Sequence, residues 1–386
     1  MLVRPRDSKS YKRLGSRGIG GRALAQRPEE ADVAIIGAGI VGLAVACRLS
    51  RVFKRVVVVE KEAEPGTGVT SGQANVIHVV QLPFGSLKSK LARKGNVMYD
   101  ELCKELGVKL DRMPSLLVVK GRLKLPILFF VYLYLWFELR GEFRVQLMGG
   151  GGLRRLEPLL ADDISGGIVV HGYGTVDAQA LVSRLREEAE KSGVTFRYGT
   201  RLTTAERTDA GTVLKTTGGG VHARIVVNAA GLYSDEVSRM LGGDHGVLEP
   251  GLGVMAVYSG LGVKNVVAPL PLSVGSRTKG GAIIPATDGT TIIGPTLRVT
   301  SSKEDKAQTD EDLALLGAKF RPLLRVEGTF VRAYTGVRPL SPTKDFIIEY
   351  DGARRVVDLV GIESPGLTAA PAIAEMVADM LSRERR

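Results

Sequence analysis

Only two cysteines, Cys47 and Cys103, occur among 386 residues, and they form no C-x-x-C pair. Their scarcity excludes a disulfide framework and any metal or iron-sulfur centre built on thiolates, and it fits a reducing, cytoplasmic setting. Histidine is equally sparse, with four residues far apart in the chain. Asparagine and glutamine number four and six, a depletion that goes with heat-adapted proteins. The apolar run Ile127 to Phe137 stops at eleven residues. As a helix it would reach about 16 Å, well short of the ~30 Å hydrocarbon core, which excludes a transmembrane span there. No internal repeat of fixed period is visible.

What is present is ample core material. Hydrophobic residues make up 44% of a chain longer than one typical domain, so two interwoven domains are expected. The net charge is +12, yet Met1 to Glu30 hold eight Lys/Arg against three acids. This stretch lacks the apolar centre of a secretory signal and reads as a disordered basic arm. No aromatic interleaving or nucleic-acid motif accompanies the charge, so nucleic acid is not an expected partner.

The first chemical signal is "VAIIGAGIVGLA" at 33–44, followed by "VVVVE" ending at Glu60. Val33 to Ile36 predict a short buried strand, and Gly37, Gly39 and Gly42 fit G-x-G-x-x-G. The first glycine permits a tight turn, the second lets backbone approach a pyrophosphate, and the third lets a helix pack close to the sheet. The helix N-terminus then favours the negative charge. Glu60, at the end of a second buried strand, is placed to accept hydrogen bonds from a ribose. Dinucleotide binding follows; the fingerprint alone does not separate FAD from NAD.

Further along, the pattern predicts an amphipathic helix from Ser86 to Leu106, a strand over Leu116 to Lys120, and a hinge or loop at the four glycines 149–152. Asp177 is the expected N-cap of a helix carrying Leu181, Leu185 and Ala189 on one face. The run 250–335 looks strand-rich. Two more strand-turn-helix signals appear at Asn228-Ala229-Ala230-Gly231 and at Gly361 to Thr368.

The order of eight segments resembles the FAD-dependent oxidoreductases of the D-amino-acid-oxidase superfamily. They are "DVAIIGAGIVGLA", "SGQANVIH", "PFGSLKSKLARKGN", "GTVDAQALV", "VVNAAGLYSDEV", "KGGAIIPATDGTTIIGPT", "GVRPLSPTKDFIIE" and "GIESPGLTAAPAIAEMV". The likeness is strongest to the branch with glycerol-3-phosphate and L-2-hydroxyglutarate dehydrogenases. It implies an α/β two-domain flavoprotein, in which a Rossmann-like FAD-binding domain is interwoven with a mainly antiparallel-sheet substrate domain. Residues 31–78, 172–246 and 336–386 would form the first domain, and 79–171 with 247–335 the second. It also implies FAD as cofactor, with Ser71 and Gly72 along the flavin and Gly231 close to it. Gly361 and Ser364, Pro365, Gly366, Leu367 and Thr368 would start a last helix whose positive end stabilises the reduced, anionic ring.

For the substrate, the resemblance brings forward Arg338 as the clamp of a carboxylate or phosphate, Lys279 as a second pocket cation, and His78 as a general base. Each has a plainer alternative: a surface arginine, a solvated lysine, a structural histidine. His171 is a weaker pocket candidate, and His222 and His245 read as surface residues. The implied reaction is oxidation of a small anionic secondary alcohol, first sn-glycerol 3-phosphate and alternatively L-2-hydroxyglutarate or another 2-hydroxy or amino acid. A non-catalytic FAD-binding relative is the reading from another class. With no second NAD fingerprint and no cysteine cluster, the electron acceptor is expected to be a quinone. The aromatic-rich segment 125–139 is then either a core helix, a homodimer contact, or a peripheral anchor on the cytoplasmic membrane face.

Overall fold

The computed structural model describes residues 28–270 and 280–383. Lys279 and most of the basic arm lie outside the described residues. The strand Glu29–Ile36 runs through the middle of an eight-stranded sheet. Gly219–Asn228 and Val56–Val59 flank it, both parallel, and Val356–Val360 and Thr195–Arg197 extend the sheet outward, again parallel. Ile347–Asp351 closes one edge antiparallel. Val56–Val59 and Val356–Val360 are buried along their whole length. Both faces of this sheet are covered, one by long helices and the other by the strands Leu202–Thr208 and Gly211–Thr216 with the short helix Ser234–Met240, which is why these strands read as unbroken apolar runs and not as alternation. The covering helices include Ile40–Ser50, Leu87–Leu106, Ala178–Lys191 and Gly366–Arg383. Leu43, Leu49, Leu181, Ile373 and Val377 interlock in the core between them.

Local chemistry sets the helix ends. Ser86 accepts the amide of Ser89 at the start of Leu87–Leu106, and Gly107, at φ +65°, ends that helix in the left-handed conformation. Asp177 accepts the amides of Gln179 and Ala180 as the expected N-cap.

The second sheet has ten strands. Its order runs from Arg298–Val299 through Glu249–Ser259, Thr291–Gly294, Ala282–Pro285, Val266–Pro269, Leu110–Lys120 and Ile164–Val176 to Val76–Ile77. The pairs are antiparallel except Val266–Pro269 against Leu110–Lys120. Thr329–Leu340 lies antiparallel along Glu249–Ser259.

Several expectations need correcting. The first strand starts at Glu29, and Glu29 and Glu30, counted above with the basic arm, pair with Val221 and His222. The strands Ile164–Val176 and Thr329–Leu340 run entirely within the second sheet. The divisions placed at 171/172 and 335/336 therefore fall inside strands, because each strand outlasts the motif that marks its end. The glycines after Met148 are not a loop: Gly149 ends a strand and Gly150–Leu156 is a helix. A side chain on Gly150 would put its Cβ 2.0 Å from the carbonyl oxygen of Ile164. Close packing, not a turn, explains that glycine.

Candidate active site

The carboxyl ends of four adjacent parallel strands converge, the place where α/β sheets bind ligands. From them emerge Gly37, Glu60, Ala229 to Gly231, and Gly361 to Gly366. The three fingerprint glycines divide by what surrounds them. A Cβ on Gly37 would lie 2.4 Å from the carbonyl of Ala229, and one on Gly42 would lie 2.0 Å from the carbonyl of Gly37. Both are demanded by backbone packing, and Gly37 also takes φ +107°. Gly39, in contrast, has only the Thr70 hydroxyl at 3.4 Å near its missing side chain. Backbone there is open to approach, and the helix it starts has no side-chain cap and no acid in its first turn. These are the features a pyrophosphate requires.

Glu60 is held in position by two amides, Ala38 N–H donating to Oε2 at 2.7 Å and Glu62 N–H to Oε1 at 2.9 Å. Each carboxylate oxygen keeps a further lone pair for a ribose hydroxyl. The donor and acceptor set thus fits FAD at its adenosine and pyrophosphate end.

The loop carrying Ser71 and Gly72 turns back on itself. The Ser71 hydroxyl donates to the carbonyls of Thr67 and Gly68, both at 2.9 Å. Gly72 presses on Gly336 of the second sheet, where a Cβ would come within 2.3 Å of the Gly336 Cα. Two bare backbones meet here. A cleft of about 770 Å³ opens beside the contact, lined by Ser71, Gln73, Asn75, Lys306, Arg332 and Tyr334 among others. Gly231, at φ +58°, and Gly361, at φ +68°, both need the left-handed conformation that suits glycine.

His78 follows the strand Val76–Ile77 and is pinned from both sides. Its amide donates to Thr368 Oγ1 at 3.0 Å, and its carbonyl accepts Asn96 Nδ2 at 2.9 Å. Asn96 also donates to the carbonyl of Gly172 at 3.0 Å and is itself gripped by Arg112. Thr368 lies in the first turn of Gly366–Arg383, so the His78 backbone is fixed to the start of that helix. Tyr99, from the long helix, donates its hydroxyl to the carbonyl of Leu367 at 2.6 Å. The ring of Tyr173 stands edge-on to that of His78 at 6.0 Å. Burial, and secondly the Arg338 guanidinium, lower the His78 pKa to about 4. The ring is therefore neutral at physiological pH and able to accept a proton.

Arg338 lies on Thr329–Leu340, paired with Gly251 of the neighbouring strand. Its Nη2 would be 2.9 Å from a Cβ on Gly253, so the bare glycine makes room for the guanidinium. Burial lowers its pKa, while the negative charge of Glu363 acts to raise it. Glu363 in turn meets Lys88 Nζ at 3.5 Å in a buried pair, and Lys88 also donates to the carbonyl of Lys344 at 2.6 Å.

His78, Arg338 and the start of the last helix are therefore brought together. His171 is not among them; its Nε2 is 2.9 Å from Gln146 Oε1. His222 bonds to Glu30, and His245 is not a surface residue but packs on buried Asp358 at 3.2 Å. Burial pushes the Cys47 thiol up to about 12 and Cys103 to about 11, so both stay protonated and inert. Asn96, Lys88, Glu363 and Gly253 were not singled out by sequence. The first two sit in the "PFGSLKSKLARKGN" segment, whose periodicity says helix and nothing of polar work.

A two-sheet fold with a dinucleotide cradle at its parallel strand ends and an uncharged histidine tied to the start of the last helix fits a flavin-dependent oxidoreductase. The chain belongs to the FAD dependent oxidoreductase family (DAO), whose sequence model matches residues 32–380. It is 30% identical over 361 residues to a glycerol 3-phosphate dehydrogenase of Caloramator mitchellensis, covering 91% of this chain and 73% of the relative. It is 28% identical over 435 residues to the mitochondrial L-2-hydroxyglutarate dehydrogenase of Arabidopsis thaliana, covering 95% and 86%. In fold it is similar to the L-alpha-glycerophosphate oxidase of Mycoplasma pneumoniae solved with FAD bound, at TM-score 0.83, 24% identity, and 92% and 95% coverage. The protein is thus an FAD-dependent enzyme acting on CH–OH or CH–NH₂ groups.

Proposed function

We propose that the protein oxidises a small anionic secondary alcohol, with sn-glycerol 3-phosphate as the leading substrate and a quinone as the electron acceptor. The observation that carries this reading is the pairing of a neutral imidazole at His78 with the charged, half-buried guanidinium of Arg338. Gly37, Gly39, Gly42 and Glu60 hold the adenosine and pyrophosphate of FAD, which when bound supplies the hydride acceptor. Arg338 clamps the anionic group of the substrate with its planar fork and so orients the carbon to be oxidised. His78 Nε2 or Nδ1 takes the hydroxyl proton, being unprotonated above about pH 4. Thr368 and Asn96 keep the His78 backbone from retreating when the proton arrives. Lys279 serves as a second cation on the substrate.

A carboxylate would satisfy Arg338 as well as a phosphate does, and the L-2-hydroxyglutarate dehydrogenase relative supports that second reading. Anaerobic addition of each compound to the oxidised enzyme decides between them. Glycerol 3-phosphate is expected to bleach the visible flavin absorbance within seconds. Bleaching by L-2-hydroxyglutarate alone would transfer the assignment, and bleaching by neither compound would overturn both.

A further inference from the structure

We propose that the helix Leu125–Leu139 is a docking element that lies in the headgroup region of an anionic bilayer. Of its fifteen residues only Leu128, Leu135 and Leu139 are buried. At about 100° per residue these three share a seam roughly 40° wide, enough to seat the helix on the second sheet. Ile127, Phe129, Phe130, Leu133, Tyr134, Trp136 and Phe137 are 40% to 69% exposed and spread over the opposite half of the helix, an arc of about 180°. Leu123, 96% exposed, continues the apolar surface past the N-terminus. A wide apolar face of this kind, with cations at both ends, matches the embedded face of an interfacial helix.

The charges complement a lipid surface. Arg122 and Lys124 stand exposed at one end and Arg140 at the other, its guanidinium 4.1 Å from the Phe137 ring centroid. Cations flanking an apolar face meet anionic phosphates while the face enters the acyl boundary, and Tyr and Trp rings settle at that depth. Glu138, the helix's one acid, lies at the border of the arc, and Arg93 donates to its carbonyl at 3.2 Å. No helix among the described residues is long and apolar enough to cross a membrane, so this helix rests in the interface plane. Phe84, on the loop leaving His78, packs edge-on against Tyr134 at 5.6 Å, which links the docked face to the active-site loop. The inference stands apart from the choice of substrate.

Trp136 is the chain's only tryptophan, so its fluorescence reports this surface alone. With FAD-loaded protein and phosphatidylcholine vesicles carrying phosphatidylglycerol, Trp136 emission is expected to shift to the blue and to be quenched by brominated acyl chains. The triple variants F129S/F130S/F137S and R122E/K124E/R140E should each bind at least about tenfold more weakly, with flavin absorbance and dye-linked turnover unchanged. Trp136 emission that ignores such vesicles overturns the proposal. So does a protein that sediments as a dimer and becomes monomeric in F129S/F130S/F137S, since a second copy would then cover the helix.

Discussion

The amide of His78 donates to the hydroxyl of Thr368 at 3.0 Å, joining residues 290 apart in the chain. Thr368 is fully buried and donates onward to the carbonyl of Val76 at 3.3 Å. The Thr368→Val substitution keeps the volume but leaves the His78 amide without its acceptor. It should cost about 1–3 kcal/mol of stability, read by thermal unfolding, and it should slow flavin reduction more than it raises KM.

His78→Ala should reduce the rate of flavin reduction by about 10² to 10⁴, with FAD retained; an unchanged rate would remove His78 from the base position. In the intact enzyme the rate should be flat across neutral pH and fall only as pH drops toward about 4, where the imidazole gains its proton. Arg338 lowers that pKa, so in Arg338→Ala the acid limb should move to higher pH. The same depression makes the folded state lose stability as pH falls from about 6.5 through about 4, since the unfolded histidine binds its proton first.

Arg338→Ala should also raise KM for an anionic substrate by roughly 2–5 kcal/mol in binding terms while FAD occupancy holds. Stopped-flow reduction under saturating substrate separates the two effects.

The fingerprint glycines should respond differently. Gly42→Ala forces a Cβ against the Gly37 carbonyl at 2.0 Å and should destabilise the fold itself, by about 1–3 kcal/mol. Gly39→Ala meets only a hydroxyl at 3.4 Å, so the protein should fold normally and bind FAD more weakly. Melting temperature and FAD titration, run on both, distinguish the outcomes.

Lys88 and Glu363 form a pair with side chains 5% exposed. Lys88→Met removes the lysine charge from this buried pair while Arg338 still faces Glu363, so it should destabilise the fold by less than the ~3–5 kcal/mol of a fully broken buried pair. Adding Glu363→Gln should recover part of that loss in a double-mutant cycle.

The cradle was legible in the sequence because its information is local: three glycines, an apolar strand and one acid within 28 residues of each other, Val33 to Glu60. The strand-rich run 250–335, the helix starting near Ser86 and the cap at Asp177 were legible for the same reason. The His78 clamp was not, because Thr368 and Asn96 reach it across the fold and neither stands in a pattern of its own. Glycine misled at 149–152, where a close carbonyl and not a turn requires Gly150. At 125–139 composition alone could not separate a core helix from an exposed one; only the narrow seam of three leucines does so.

The converging strand ends also set an order of events during synthesis. Gly37 and Glu60 leave the ribosome early, but the strand that completes the packing over Gly37 ends at Asn228 and the next at Val360. The Thr368 anchor arrives with the last helix. A growing chain therefore carries the glycine loop long before the strands that close the pocket around it. Flavin capture waits until the chain has been made through Thr368, and until Gly219–Asn228 arrives one edge of the strand Val33 to Ile36 stays open while Val56–Val59 already covers the other.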